Sequence, residues 1–229
     1  MADLDDKTAR PAVPRKGDQL LRGDLRDWMN NACLNVMGSG DAYAYKAGYR
    51  RGAEVLIGYV GESARDQDFL VYPIIFLYRH HIELMLKRII RRAPYLIDGS
   101  LSEKEKQHLD RHRLDLLWED LKRMLPAVCK AAGWSEPAVA DVEGIDNYVR
   151  QLSELDADSF SFRYSHSKKG DPSLPVNLKN INLRYFGDLM GRLADYLYGL
   201  DEGISLLVET KCEMEAEWAS EMASCADYE

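Results

Sequence analysis

The amino-acid sequence predicts an all-α fold: a bundle of four to five helices, with an irregular basic loop before a long C-terminal helix. Apolar residues recur three and four positions apart through most of the chain, which is the spacing of an amphipathic helix. The longest strand-like alternation runs only from Phe160 to Tyr164. Of the 229 residues 46% are hydrophobic, which is enough for one substantial core. We therefore expect one helical domain over residues 21–210.

Both ends of the chain are expected to lie outside this domain. Residues 1–20 are polar, include two prolines and lack an apolar period, so we expect a disordered N-terminal lead-in. Residues 211–229 are expected to form an acidic C-terminal tail, because Cys212 to Glu229 carries six carboxylates and no Lys or Arg. The last helix is expected to fray toward Ala219.

The first two helices are expected over Asp41 to Val60 and Asp68 to Arg92. Tyrosines and leucines share one face of the first helix. Pro73 stands near the beginning of the second helix, where proline is tolerated because the first N–H groups have no intrahelical acceptor. The first half of this second helix is apolar almost all round, which indicates burial against several neighbours and makes it the central helix.

A third helical region begins at a capping box. In Ser102-Glu103-Lys104-Glu105 the serine and the second glutamate can satisfy each other's exposed N–H groups. We expect this region to continue to about Ala131, with a break near Arg111. A fourth helix fits Pro137 to Leu155.

The last helix is expected to start near Asn177, after a loop over residues 156–175 that contains glycine and prolines. Its apolar positions form a seam that buries against a bundle or a second subunit. The seam residues are Phe186, Leu189, Leu193, Leu197, Leu200, Ile204 and Leu207.

Charge and composition limit the kinds of partner that the protein is expected to bind. A net charge of −8 argues against indiscriminate nucleic-acid binding, but five cations and one carboxylate between Arg79 and Arg92 allow a basic face. The longest strongly apolar run, Phe69 to Tyr78, is shorter than the about 20 residues of a membrane span. Scattered cysteines and the lack of a leader segment indicate a cytoplasmic protein with no membrane partner.

The basic, aromatic loop carries the strongest candidates for chemistry. Arg163 can hold a phosphate, and His166 can move a proton at neutral pH. Lys168 and Lys169 would add to phosphate attraction and bind RNA. In the alternative interpretation, the aromatic residues pack the loop onto the bundle and Arg163 pairs with a carboxylate such as Glu83.

The central helix carries a second polar group. Arg79, Glu83 and Lys87 recur every four residues within a segment rich in Ile, Leu and Phe. In the functional interpretation Glu83 orients Arg163 or His166 in a catalytic site and Arg79 contributes to RNA binding. In the structural interpretation these residues form a buried ladder of ion pairs.

Metal and cofactor sites are not expected. His108 and His112 are four residues apart, as in helical zinc sites, but the sequence suggests no third ligand. The chain also lacks a phosphate-binding loop, a Rossmann fingerprint and a nucleophile elbow. Trp118 is expected to belong to the core.

Three segments, in this order, resemble the HEPN superfamily of small helical-bundle proteins: residues 83–87, 112–117 and 162–165, which read ELMLK, HRLDLL and FRYS. The resemblance implies a helical bundle that commonly dimerises, so we expect a homodimer. Many members are metal-independent ribonucleases of toxin–antitoxin, CRISPR-linked or phage-defence systems, and others are inactive partners. Active members use an Arg and a His close together at the dimer interface, which correspond here to Arg163 and His166, separated by two residues.

The expected function is that of an RNA-directed, metal-independent endoribonuclease of a prokaryotic defence or toxin-type system. His166 would take the proton of a 2′-hydroxyl while Arg163 stabilises charge on the phosphate. One alternative is a non-catalytic interaction or scaffolding subunit, bound to a partner protein from a neighbouring gene. A sensor of small molecules or nucleotides, using the tyrosines of the first helix, is a third hypothesis.

Overall fold

The structure is a computed structural model that describes residues 16, 20–21, 23–34 and 43–226. The chain divides into two units, Met1–Asp41 and Ala42–Glu229. The first unit contains a single turn of 3-10 helix, Trp28–Asn30, within its described part. The expected lead-in over residues 1–20 lies almost entirely outside the described residues.

The second unit is helical, which confirms the all-α fold class. Its helices are α1 (Tyr43–Ser63), α2 (Gln67–Leu96), α3 (Glu103–Leu109), α4 (Leu114–Ala132), α5 (Val139–Leu155) and α6 (Leu183–Ala226). No strand occurs among the residues that the structure describes, and the isolated bridge between His166 and Pro172 lies inside a loop. The number of helices exceeds the expected four to five because the third helical region is split in two.

Local signals in the sequence account for several helix ends. Ser102 and Glu105 form the expected capping box at the start of α3. Gly133 ends α4 with φ +69°, and its N–H donates to the carbonyl of Lys130 while the N–H of Trp134 donates to that of Cys129. This left-handed turn is most accessible to glycine, because it has no Cβ to collide with the backbone.

Helix α2 is the central helix, as the sequence predicts. It packs against α1, α4 and α6, and its core residues include Ile74, Ile82, Met85 and Ile89, all without exposed surface. Among the described helices it is the one long and apolar enough to cross a membrane, and half of that apolar segment is buried within the protein. The core helix of a helical bundle has the same properties.

Helix α6 is longer than expected at its C-terminal end. It begins at Leu183, where the side chain of Asn182 accepts a hydrogen bond from the N–H of Tyr185 at 2.9 Å. In its apolar seam Leu193, Leu197 and Ile204 are buried and the other residues are half-buried, and buried positions of α6 continue to Val208. The segment expected to be an acidic tail continues the same helix to Ala226, with Trp218 exposed.

Candidate functional site

The predicted site residues fall into two groups that differ in exposure. Arg163, His166, Lys168 and Lys169 are exposed on the loop between α5 and α6. The other two, Arg79 and Glu83, are 0% and 1% exposed on α2. The loop residues can therefore contact a ligand directly, whereas the two buried residues of α2 cannot.

The base of the loop is fixed by a buried carboxylate. Asp156 Oδ1 accepts hydrogen bonds from the N–H groups of Phe160 at 2.6 Å and Ser161 at 2.8 Å. Ser159 lies in the left-handed region with φ +58°, which an L-residue adopts at some energetic cost. The buried ring of Phe162 attaches the loop to the core. These contacts give the exposed residues that follow a defined starting geometry.

Arg79 joins this loop to two other parts of the fold. Its guanidinium donates to the carbonyl oxygens of Asp156 and Ala157, at 3.1 Å each, and to that of His112. It also donates to Glu83 at 3.2 Å. Burial lowers the pKa of Arg79, and the charges of Asp156 and Glu83 oppose that change. With no exposed surface Arg79 cannot contact an RNA phosphate, so the expectation that it binds RNA is wrong.

Glu83 is the centre of the buried network. Its carboxylate accepts hydrogen bonds from Arg79 and Lys87, and the second of these measures 2.8 Å. A third bond, also 2.8 Å, joins Glu83 Oε1 to Nδ1 of His112. We call Arg79, Glu83, Lys87, His112 and Asp156 the Arg79 cluster. Within it the ladder of ion pairs, one of the two interpretations of the sequence, is present in full.

The protonation of Glu83 follows from its neighbours. Burial alone would raise the pKa of Glu83, but the hydrogen bonds and charges of Lys87 and His112 outweigh burial and hold that pKa below its usual value. The carboxylate is therefore ionised at neutral pH. Glu83 forms a hydrogen bond with neither Arg163 nor His166. The imidazole that it orients is that of His112.

Arg163 is positioned mainly by aromatic rings. Its guanidinium carbon lies 5.6 Å from the ring centroid of Phe76 and 5.6 Å from that of Tyr164. Its Nε donates to the carbonyl oxygen of Ser159. The terminal nitrogens of this exposed side chain therefore remain available to an anion, and the alternative in which Arg163 pairs with Glu83 is not what the structure shows.

His166 and the two lysines belong to a short hairpin over residues 165–173. The N–H of Ser173 donates to the carbonyl of Ser165 at 3.0 Å, and that of Ser167 to Asp171 at 2.8 Å. His166 Nδ1 lies 3.0 Å from Ser165 Oγ. Lys168 and Lys169 are exposed at the turn. A cleft of about 350 Å³ adjoins this hairpin, lined by Tyr72, Ser161, Phe162, Arg163, Tyr164, Ser165, Pro172, Ser173 and Leu174.

His112 belongs to the Arg79 cluster, although the sequence predicted no catalytic or binding role for it. His108 bonds Asp120 at 2.7 Å, whereas His112 bonds Glu83, so the two imidazoles interact with different carboxylates. Within the described part of the chain no three His, Cys, Asp or Glu side chains could hold a metal ion together. One sequence signal was available: a glutamate on a nearly all-apolar helix must find donors, and a histidine can supply one, although the sequence does not show which histidine.

Comparisons of this chain with protein-family models, with curated proteins and with solved structures gave no match. The chemistry is therefore argued from the residues themselves. Exposed cations and aromatic rings surround the loop, and a histidine with a fixed tautomer lies at the adjacent turn between α3 and α4. Such an arrangement can bind a phosphate and transfer protons without a metal.

Proposed function

We propose that this chain is a HEPN-like protein of a prokaryotic defence or toxin-type system, which cleaves RNA phosphodiesters in the cytoplasm as a metal-independent, homodimeric endoribonuclease. The observation that carries the proposal is the loop of Arg163, His166, Lys168 and Lys169, all exposed, with Arg163 in the lining of the adjoining cleft. Arginine and histidine on one short segment supply a phosphate ligand and a proton-transfer group.

The surroundings of the loop suit single-stranded RNA. Lys168 and Lys169 supply positive charge near the scissile phosphate, and Arg163 can donate two further hydrogen bonds to its oxygens. Tyr72 and Tyr164 present half-exposed rings at the cleft, on which bases can stack. His166 then transfers the proton that the reaction requires.

The second candidate function is a non-catalytic interaction or scaffolding subunit that binds a partner protein encoded by a neighbouring gene. The observation that favours it lies in the C-terminal part of α6. There Met214, Trp218 and Met222 continue the helix face that carries the apolar seam, but they are exposed. On this hypothesis the aromatic packing of Arg163 serves only to fix the loop.

The test is cleavage of a fluorescently labelled single-stranded RNA by purified protein in excess EDTA. We expect cleavage by the wild type, and losses of at least about 100-fold in Arg163→Ala and His166→Ala. Arg150→Ala is the matched control, since Arg150 is an exposed arginine paired with Glu154 on α5. Melting temperatures of all variants should equal that of the wild type.

Two results would decide against the nuclease. If the wild type is a folded protein that leaves every RNA intact, the proposal fails and the scaffolding function takes its place. If the Arg163 and His166 variants cleave RNA as fast as Arg150→Ala does, the activity does not reside in this loop.

A further inference from the structure

His112 differs from the other described histidines in combining an exposed ring with a buried, charged partner. Its side chain is 54% exposed, while Glu83, which bonds its Nδ1, is 1% exposed. Because the Glu83 carboxylate is ionised, it can only accept a hydrogen bond, so Nδ1 must be the nitrogen that carries the proton. In the neutral ring the lone pair then lies on Nε2.

The Nε2 atom of His112 is available to accept a proton. Nδ1 is turned toward the buried carboxylate, and none of the described residues forms a hydrogen bond with Nε2. On α2 Glu83 bonds the ring and His80 interacts with its charge, Lys87 bonds the same carboxylate, and Arg113 follows His112 in the chain. A carboxylate behind an exposed imidazole fixes both its tautomer and its orientation, and it stabilises the imidazolium that proton uptake produces.

The same part of the surface contains Arg163. Arg79 donates hydrogen bonds to the main-chain carbonyls of both His112 and Ala157, so the α3–α4 turn lies beside the base of the loop. Along α2 the ring of Phe76 stacks on that of His80 at 5.8 Å and also lies under the guanidinium of Arg163. Burial lowers the pKa of His80, and the charge of His112 adds to that lowering. A continuous strip thus leads from Arg163 to His112.

We propose that His112 is the general base of the RNA cleavage reaction, with Glu83 as its positioning residue. This inference rests on the proposed function and adds a residue that the loop does not contain. His112 Nε2 takes the proton of the 2′-hydroxyl as the 2′-oxygen forms a bond to phosphorus. The bond between phosphorus and the 5′-oxygen breaks, and the leaving oxygen takes a proton from His166, which lies on the same loop as Arg163.

The proposal gives His112 and His166 opposite roles, and the products follow from the atoms. One RNA fragment ends in a 2′,3′-cyclic phosphate and the other begins with a 5′-hydroxyl. The base must be unprotonated and the acid protonated, so the pH–rate profile should be bell-shaped, with its acidic limb set by the base and its alkaline limb by the acid.

The experiment compares pH–rate profiles of the full chain and its variants on the labelled RNA. In His112→Asn the amide can still donate to Glu83 but offers no base at the Nε2 position. We expect kcat to fall by at least about 100-fold, with KM unchanged and the acidic limb of the profile lost. Added imidazole should restore cleavage to His112→Ala, which a structural role would not allow. Glu83→Gln should lower kcat and shift the acidic limb, with His112 still present.

The outcomes separate this inference from the proposed function. If the wild type cleaves RNA and His112→Asn retains its kcat within about threefold with both limbs intact, the role of His112 is refuted while the nuclease stands. Failure of added imidazole to restore any cleavage to His112→Ala would also count against the role. If the wild type cleaves no RNA, both proposals fall together.

Discussion

Replacing Arg79 tests whether the Arg79 cluster holds the fold together. Arg79→Met keeps the length of the side chain but removes a fully buried cation. Glu83 and Asp156 then lose a compensating charge, and the carbonyls of His112 and Ala157 lose their donor. Breaking a buried pair by removing one partner costs about 3–5 kcal/mol. In a domain of this size 1 kcal/mol corresponds to about 2–4 °C, so we expect Tm to fall by about 12 °C.

The assay is thermal and urea unfolding followed by circular dichroism, with Arg150→Met as control. Arg150 pairs with Glu154 on the surface, where such a pair contributes less than about 1 kcal/mol. Because Arg79 also anchors the loop, limited proteolysis of Arg79→Met should cut within residues 156–182 earlier than in the control. A loss of stability below about 1 kcal/mol, with an unchanged cleavage pattern, would refute the structural role assigned to Arg79.

Substitutions at three further positions test other parts of the fold. Burial lowers the pKa of His81 to about 4, against the opposing hydrogen bond to the carbonyl of Lys46. The unfolded chain therefore binds more protons between pH 4 and about 6.5, so stability should fall as the pH drops through this range, and His81→Leu should reduce that fall by up to about 3 kcal/mol in urea titrations. Gly133→Ala should lower the free energy of unfolding by about 1 kcal/mol, and Gly133→Asn by less, because Asn tolerates the left-handed region better. Ser102→Ala should cost about 1 kcal/mol in the same measurement, since it removes the acceptor for the N–H of Glu105; an unchanged midpoint would show that the capping box does not contribute.

The fold was largely predictable because its signals are local. Helical periodicity located α1, α2 and α5 and the seam of α6, and the capping box located the start of α3. An apolar seam marks the part of α6 that another element covers. It carries no information on how far the helix continues beyond the bundle. The irregular loop was recognised from its glycine and prolines, but the hairpin over residues 165–173 depends on particular main-chain hydrogen bonds.

The candidate site was only partly predictable, because its partners are distant in the sequence. The spacing of Arg79, Glu83 and Lys87 indicated ion pairs along one helix face, and these are present. The partner of Glu83 on a second element, His112, is supplied by the turn between α3 and α4, and no local pattern specifies that meeting. The sequence left Arg79 with two interpretations, RNA binding or a buried ion pair, because it does not show the carbonyls that surround a buried guanidinium.

The way in which Arg79 holds the loop leaves the loop's own side chains free to vary. Its acceptors at residues 112, 156 and 157 are peptide oxygens, which every amino acid provides. Residues 163–169 can therefore be exchanged, singly or as a grafted segment, without disturbing the attachment beneath them. Variants of the exposed side chains in this segment are therefore expected to keep the stability of the wild type.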